Sequence, residues 1–513
     1  MKGRKRLVTL IALSFTLAGT LTAAVACSGG DVYSFHNNQK PSGSNDFAGQ
    51  LSVEIEGYSV KSGDWEKRET GELVSKKANS LVVSEDVKMT NGNGAIVATI
   101  DRPDADGDIG IVFGMDDDGM YRCWEDTEVS YYTLMVESGT GKLFLSKVDN
   151  GVFQWLTDGW WCSNNEAVEK GGSITVKIEK NVDTIYVYRY YLSEASDPAT
   201  QEDGETGEWK LVFTHKDLTG ALNGEQVGFR SGPVGTVFSG LAEDAEAELP
   251  ERLTYAPKSG TVTVNGDTVI SDSVCTVAVS AEKQLTNGNG TITATMKRVD
   301  GCDSSIIFGL DDMGEPRYYE TYWSDKTMSN AFMNYYLLTL TGGKLAFAKI
   351  TDDGWGWVND FGKFINNDEI ALGEEITVKI AKNGDSIYVY KVADNNGTPE
   401  DQFVFAYKDP KGVLRGNMVG FRSTGAGAEF RNLNVDATAV PEELKYAPKD
   451  GVVSIKDGTV TTLSDWTMAV SADQKLNGGN GTFTFELTRN ASAESGVVFG
   501  LDDDKGTRYF ADN

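Results

Sequence analysis

The sequence predicts an all-β protein, with antiparallel β-sandwich (jelly-roll) domains in tandem after a signal peptide and a flexible tether. Three observations lead to this prediction. The 513 residues include 57 Gly, 22 Phe, 20 Tyr and 10 Trp, but only 11 Pro. Short runs of alternating β-branched, aromatic and polar residues end at Gly, Asn or Asp, as in strands joined by tight turns. The same motifs return about every 190 residues, which is the length of a whole domain.

The composition argues against several classes of function. Lys and Arg number 47 against 76 Asp and Glu, which gives a net charge of −29. So acidic a surface repels phosphate, and we expect neither a nucleic-acid partner nor binding to anionic lipid through a basic face. The two histidines, His36 and His215, lie outside the repeated motifs. A histidine metal centre or a Ser-His-Asp triad is therefore not expected.

Residues 1–26 have the pattern of an export signal. Residues 2–6 carry four basic side chains, and Leu7–Val25 is apolar or small and uncharged, as in a secretory signal peptide. The segment ends in Ala24-Val-Ala-Cys27-Ser, which resembles the lipobox of bacterial lipoproteins. The resemblance implies that Cys27 is lipidated and that the exported protein is anchored to the bacterial membrane by this lipid only, facing the cell exterior. A cleaved signal without lipid and an uncleaved anchor are the alternatives.

A tether and three copies of one unit follow the signal. Residues 27–50 are rich in Ser, Gly and Asn and predict a flexible tether. The repeated motifs place the copies at 51–248, 249–440 and 441–513. The third copy contains about a third of a unit. We therefore expect a truncated third sandwich in a chain that is part of a longer product.

The copies are identified by motifs that recur in the same order. The motifs common to all three are Tyr58–Gly63, Tyr255–Gly260 and Tyr446–Gly451; Asn91–Gly94, Asn287–Gly290 and Asn477–Gly481; Ile111–Asp117, Ile306–Asp312 and Val497–Asp503; and Arg122, Arg317 and Arg508. The first two copies also match at Tyr131–Leu134 and Tyr335–Leu338, Lys142–Lys147 and Lys344–Lys349, Trp155 and Trp357, Ile174–Ile178 and Ile376–Ile380, Ile185–Tyr188 and Ile387–Tyr390, and Val227–Arg230 and Val419–Arg422.

Alternation with a period of two predicts individual strands. Ile174–Ile178, which matches Ile376–Ile380, and Ile387–Tyr390 alternate in this way. Lys382-Asn-Gly-Asp385 is a turn signal, so this pair of strands predicts a hairpin. Thr291–Met296 and Thr482–Glu486 alternate as well and predict strands in the second and third copies. No segment has the pattern of an amphipathic helix of three turns.

The order of the motifs resembles the concanavalin A-like lectin and glucanase superfamily. The likeness lies in a Phe-Gly-x-Asp-Asp hairpin, a Tyr-Tyr-x-Leu strand, an Ile-Thr-Val-Lys-Ile strand, an Ile-Tyr-Val-Tyr strand and a closing Val-Gly-Phe-Arg, over residues 58–437 and 446–513. It is most marked for laminin-G-like jelly-roll modules of the kind attached to family 32 fructanases. The resemblance implies the sandwich fold and a carbohydrate ligand.

Polar residues around one predicted hairpin are the first candidates for sugar contacts. Carboxylates accept hydrogen bonds from hydroxyls, and the arginine fork donates to them, so together they can hold vicinal hydroxyls of a sugar. An Asp-rich turn closed by a surface ion pair is the structural alternative. The candidates are Asp116, Asp117 and Arg122 in the first copy and Asp311, Asp312 and Arg317 in the second.

Aromatic residues form the second candidate set. A ring offers an apolar face to the CH face of a sugar, and Tyr and Trp add a polar edge. Anchoring of the core or of loops is the alternative for each. We interpret Tyr186, Tyr188, Tyr388 and Tyr390 as structural. The binding candidates are Tyr131, Trp155 and Trp160 in the first copy and Tyr335, Trp355 and Trp357 in the second.

The sequence predicts no catalytic residues. Laminarinase-type members of the superfamily use a Glu-apolar-Asp-x-x-Glu strand, whereas the nearest match here, Glu125-Asp-Thr-Glu128, has a different spacing. No nucleophile elbow, phosphate loop or HExxH motif occurs. We expect no cofactor. The turn Asp116–Gly119 offers oxygen ligands for a structural calcium ion, without the spacing of an EF-hand.

Four further cysteines lie in the first two copies. Export permits disulfides, so pairing within each copy, Cys123 with Cys162 and Cys275 with Cys302, is one interpretation. Four reduced thiols are the other. No CxxC spacing indicates a zinc or redox site.

These observations together predict a cell-surface lipoprotein whose tandem sandwiches bind a polysaccharide or oligosaccharide without cleaving it. Two alternatives stay open. The sandwiches could accompany, or form part of, a secreted glycoside hydrolase. They could also be a structural spacer or adhesin, in which case the loop tryptophans would be buried between domains.

Overall fold

The computed structural model describes residues 55–116, 129–157, 159–192, 207–311, 334–351, 354–357, 364–395, 397–409, 412–488 and 494–501. Within these ranges the chain forms 32 β-strands and one turn of 3-10 helix, Thr90–Gly92. The predicted all-β class and antiparallel sandwiches are confirmed. No helix in the described ranges is long and apolar enough to cross a membrane.

The first repeat folds into two seven-stranded antiparallel sheets. The front sheet consists, from edge to edge, of β1 (Tyr58–Ser62), β4 (Ser80–Lys88), β13 (Gln226–Ser231), β6 (Ile109–Met115), β7 (Tyr131–Val136), β8 (Leu143–Asp149) and β9 (Val152–Trp155). The back sheet consists of β12 (Gly207–Lys216), β11 (Thr184–Leu192), β10 (Ser173–Asn181), β5 (Gly94–Asp101), β14 (Val237–Glu243), β3 (Leu73–Ser75) and β2 (Trp65–Lys67).

The second repeat has the same two sheets with their strands in the same order. Its front sheet consists of β15 (Tyr255–Ser259), β18 (Thr276–Gln284), β27 (Met418–Ser423), β20 (Ser304–Leu310), β21 (Tyr335–Thr341), β22 (Lys344–Thr351) and β23 (Gly354–Trp357). Its back sheet consists of β26 (Thr398–Lys408), β25 (Ser386–Asn395), β24 (Glu375–Asn383), β19 (Gly290–Lys297), β28 (Glu429–Asp436), β17 (Thr268–Ser271) and β16 (Val262–Asn265).

The core of each sandwich lies between its two sheets, because alternate residues of every strand face inward. On β7, Tyr132, Leu134 and Val136 belong to the core cluster, whereas Tyr131 belongs to a separate cluster on the outer face of the front sheet. The predicted hairpin of the second repeat is β24–β25, with Asn383 opposite Ser386. The alternation in the sequence therefore marks which face of each strand is buried.

The third repeat forms two two-stranded antiparallel sheets in the described ranges. They pair β29 (Tyr446–Asp450) with β32 (Met468–Ser471), and β30 (Val453–Lys456) with β31 (Thr459–Thr462). The strand predicted at Thr482–Glu486 is not formed. Its counterpart β19 pairs on one side with β24 and on the other with β28. No counterpart of either partner is among the described residues of the third repeat, so the alternating segment has nothing to pair with there.

The interpretation that Cys275 pairs with Cys302 is wrong. Cys302 forms no disulfide, and its Sγ lies 3.0 Å from Ser423 Oγ. Cys302 packs against the sandwich core, whereas Cys275 belongs to the cluster on the outer face of the front sheet. The sheet thus separates the two side chains. Cys123 lies outside the described residues, so pairing of Cys123 with Cys162 stays a prediction.

Candidate functional site

Strand register places the candidate residues of the first repeat on the outer face of the front sheet. A row of paired residues crosses four strands of this sheet. It runs from Trp155 on the edge strand β9 through Ser146 on β8 and Thr133 on β7 to Val112 on β6. In the second repeat the corresponding row is Trp357, Ala348, Leu337 and Ile307. The predicted match of Trp155 with Trp357 therefore also holds in three dimensions.

The edge of the first repeat carries a packed aromatic cluster. The Trp155 ring meets Phe144 edge-on at 5.5 Å between centroids and Phe153 at 5.1 Å. Trp160, in the loop after β9, also meets Phe144 edge-on, at 6.5 Å. Lys142 places its ammonium 5.5 Å from the centre of the Trp160 ring and donates to the Trp160 carbonyl. The structure thus brings two of the predicted tryptophans together, but their neighbours partly cover them.

The edge of the second repeat leaves its tryptophan open. Trp357 is 49% exposed, an unusual value for so large an apolar side chain. The position of Phe144 is taken here by Ala346, a buried residue, so this one aromatic neighbour of the first repeat is replaced by a small side chain. Trp355 is on the same strand, opposite Ile350, but its side chain lies outside the described set.

The two predicted tyrosines lie deeper than the tryptophans. Tyr131 is 6% exposed and Tyr335 is 2% exposed. Both belong to apolar clusters on the outer face of their front sheets. Their rings are therefore covered in this conformation.

The strand-end aspartates lie apart from the tryptophans. Asp116 follows β6 and Asp311 follows β20. Asp116 is three strands across from Trp155 and four residues beyond its row, which at ~4.8 Å per strand and ~3.3 Å per residue amounts to roughly 20 Å. One sugar ring cannot contact both, although a chain of several sugars could. Of the remaining polar candidates, Asp117, Arg122, Asp312 and Arg317 lie outside the described residues.

The arginine of the closing Val-Gly-Phe-Arg motif also faces outward from the front sheet, but it is buried. Arg230 is 2% exposed and donates to the Met135 sulfur at 3.4 Å. Burial raises the pKa of Asp108, while the Ser138 N–H and the charge of Arg230 oppose this shift. In the second repeat burial raises the pKa of Asp303, and Thr341 and Arg422 oppose it. We therefore assign these arginines a structural role.

Sequence reasoning missed the residues that distinguish the two edges. Phe144 packs against Trp155, yet it does not stand out in the sequence from other strand aromatics. The sequence did contain one signal of this difference between the two edges: Phe144 and Ala346 stand at matched positions of the same repeated motif. In the described residues, no group of three or more His, Cys, Asp or Glu side chains could hold a metal ion.

Among known proteins, similarity to this chain was found for solved structures only. No family model and no curated protein matches the chain. The chain is similar to the carbohydrate-binding module CBM66 from Bacillus subtilis, with 15% identity over 37% of this chain and 96% of that one and a TM-score of 0.27. It is also similar to the galectin LEC-6 from Caenorhabditis elegans, with 9% identity, 34% and 98% coverage and a TM-score of 0.20. A third similar structure is mouse laminin alpha1 LG4-5, with 11% identity, 72% and 93% coverage and a TM-score of 0.20. Likenesses this weak assign no ligand to this chain.

Proposed function

We propose that the chain is an exported protein, anchored to the bacterial membrane through a lipid on Cys27, whose sandwiches bind carbohydrate without cleaving it. The proposed site is the outer edge of the front sheet, at β9 and β23. Trp357 is the main stacking surface, and the aromatic cluster around Trp155 is its counterpart. The strand-end aspartates would contact more distant sugars of a bound chain.

The exposure of Trp357 is the observation that supports this proposal. An indole exposes both an apolar face, which can cover the CH face of a sugar, and an N–H that can donate to a hydroxyl. Burial of such a ring elsewhere in the fold would stabilise the protein, so its place on an edge strand needs another explanation.

Affinity electrophoresis of the full chain against levan, inulin, laminarin and xylan tests the proposal. We expect one of these polysaccharides to retard the protein, and Trp357→Ala to weaken that binding about tenfold, since an aromatic stack and the area it covers contribute roughly 1–2 kcal/mol. Trp357→Phe should retain part of the affinity because a ring remains.

Leu372→Ala is the matched control, because Leu372 is an exposed apolar residue of the same repeat that is not on β23. It should bind like the unchanged chain. Binding that survives Trp357→Ala undiminished would place the site elsewhere. No retardation by any of the four polysaccharides would count against the proposal.

A role as spacer is the second candidate, and one observation favours it. Trp161 and Leu218 of the first repeat pack against the outer-face cluster of the second repeat, which includes Cys275. A loop tryptophan is thus used between domains, as the spacer hypothesis requires. This role does not exclude sugar binding at Trp357, and the polysaccharide experiment decides between a spacer alone and a spacer that also binds.

A further inference from the structure

The linker between the first two repeats is bound to the first repeat by its main chain. Asn181 Nδ2 donates to the Pro250 carbonyl at 2.8 Å, and the Tyr186 hydroxyl donates to the Glu251 carbonyl at 3.3 Å. The Leu253 N–H donates to Thr184 Oγ1 at 3.1 Å. Asn181 and Thr184 bracket the turn between β10 and β11, and Tyr186 follows on β11. We call these three residues the clasp of the first repeat.

The second repeat holds the next linker in the same way. Asn383 Nδ2 donates to the Pro441 carbonyl at 2.7 Å, and the Tyr388 hydroxyl donates to the Glu442 carbonyl at 2.9 Å. The Leu444 N–H donates to Ser386 Oγ at 2.9 Å. Each of these three bonds of the first junction therefore has a counterpart at the second, and Asn383, Ser386 and Tyr388 are the clasp of the second repeat.

The linkers are fixed segments at these positions. Leu253 is 3% exposed and Leu444 is 2% exposed, so each linker buries one side chain beside its clasp. The three hydrogen bonds of each junction go to linker main chain, which explains why Arg252 can be replaced by Glu443 at the matched position. A flexible tether would show neither the burial nor the repeated bonding.

A second set of contacts joins the first two sandwiches directly. Thr261, beside β16, donates to the Val212 carbonyl at 2.7 Å and accepts from the Ser163 N–H at 3.1 Å. Ser163 Oγ donates to the Asp272 carbonyl at 2.8 Å. In the third repeat Val452 takes the position of Thr261 and is buried in the core cluster of the second repeat. Each following repeat thus contacts the sandwich before it as well as the linker.

We propose that the clasp is a docking surface whose partner is the next repeat of the same chain, and that it sets successive sandwiches in one fixed relative orientation. When the same head-to-tail contact joins each domain to the next, the domains form an open array. Each domain is then related to the one before it by the same rotation and translation. The chain is then a stiff rod. Trp155 and Trp357 are held at a constant separation along it, whether or not they bind sugar.

Hydrogen exchange of the full chain tests the clasp bond by bond. The Leu253 and Leu444 amides should exchange slowly in the unchanged protein. Thr184→Val removes the acceptor and keeps the shape of the side chain, so the Leu253 amide should exchange at least tenfold faster. The Leu444 amide, which depends on Ser386, should not change and serves as the internal control. Equal, unprotected exchange at both amides in the unchanged protein would overturn the proposal.

Small-angle X-ray scattering tests the rod itself. The reference is a variant with eight Gly and Ser residues inserted between Leu253 and Thr254, which leaves both sandwiches and the clasp intact. We expect the unchanged chain to give a narrower distribution of interatomic distances than this reference. Identical distributions would show that the clasp does not set the relative orientation of the sandwiches and that the proposal is wrong. The comparison does not require a clasp variant to fold.

Discussion

A buried ion pair connects the two sheets of each sandwich. Lys147 on β8 lies 3.0 Å from the carboxylate of Asp217, which follows β12 on the back sheet, and both side chains are almost fully buried. The Tyr132 hydroxyl donates to the same carboxylate at 2.6 Å. The second repeat repeats the arrangement with Lys349, Asp409 and Tyr336, at 2.7 and 2.6 Å.

The environment of Asp217 keeps its carboxylate charged. Burial raises the pKa of Asp217, but hydrogen bonds from Tyr132, Thr219 and Lys147 and the charge of His215 outweigh it, so the pKa lies below its ordinary value. Burial and the neighbouring carboxylate raise the pKa of Tyr132, which stays a neutral donor. The carboxylate therefore stabilises the fold above the pKa of an unfolded aspartate, and this contribution is lost as pH falls through the lower folded-state value.

Asp217→Asn should destabilise the first sandwich by about 3–5 kcal/mol at neutral pH, because it removes the buried counter-charge of a buried ammonium. Differential scanning calorimetry should show the transition of the first repeat at lower temperature. Asp149→Asn is the matched control, since Asp149 lies 3.4 Å from the same ammonium but is 37% exposed. Equal shifts in the two variants would contradict this role for Asp217.

At the scale of elements, two repeated motifs have structural explanations. The Asn-Gly-Asn-Gly turn supplies a carbonyl for a buried lysine: Lys180 donates to Gly92 O at 2.7 Å and Lys382 to Gly288 O at 2.8 Å. The glycine of Val-Gly-Phe-Arg lets strands approach closely. A Cβ on Gly420 would lie 2.2 Å from the Ala278 carbonyl oxygen, on the main chain of β18.

Gly420→Ala should therefore destabilise the second sandwich by roughly 1–3 kcal/mol, because neighbouring main chain must move. Gly356→Ala on β23 is the control, since its Cβ would meet nothing closer than Lys349 O at 3.8 Å. Urea unfolding followed by tryptophan fluorescence measures both. If Gly420→Ala unfolds with the same free energy as the unchanged chain, β18 and β27 can move apart without loss of stability, and the explanation is wrong.

At the scale of the whole molecule, the proposed lipid on Cys27 would attach the tandem sandwiches to the membrane. Cells expressing the full chain and labelled with radioactive palmitate should yield labelled protein that partitions into the detergent phase of Triton X-114. Cys27→Ser should abolish the label and move the protein to the aqueous phase, because the lipid anchor is then lost. Cys162→Ser, the control, should behave like the unchanged chain. Unlabelled Cys27→Ser protein that stays in the detergent phase would indicate an uncleaved anchor.

The repeats, the all-β class and the faces of the strands follow from the sequence alone. Period-two alternation reports burial directly, because successive side chains of a strand point to opposite sides. A repeat can be recognised without a structure because equivalent strands need equivalent residues. The strand predicted at Thr482–Glu486 did not form for a related reason. Alternation shows that a segment can be a strand, but the strand forms only where neighbouring strands pair with it.

The tertiary structure decided what depends on neighbours that are distant in the sequence. Trp155 and Trp357 occupy equal positions in one motif, but Phe144 packs against the first, whereas Ala346 stands at the matched position beside the second, which is 49% exposed. The linkers carry a composition typical of loops, yet Leu253 and Leu444 are buried where hydroxyl groups 69 and 58 residues earlier accept hydrogen bonds from their main chain. The sequence by itself determined the repeat and its strands, since these depend on local pattern. Exposure and docking depend on packing between elements, and only the folded chain defines them.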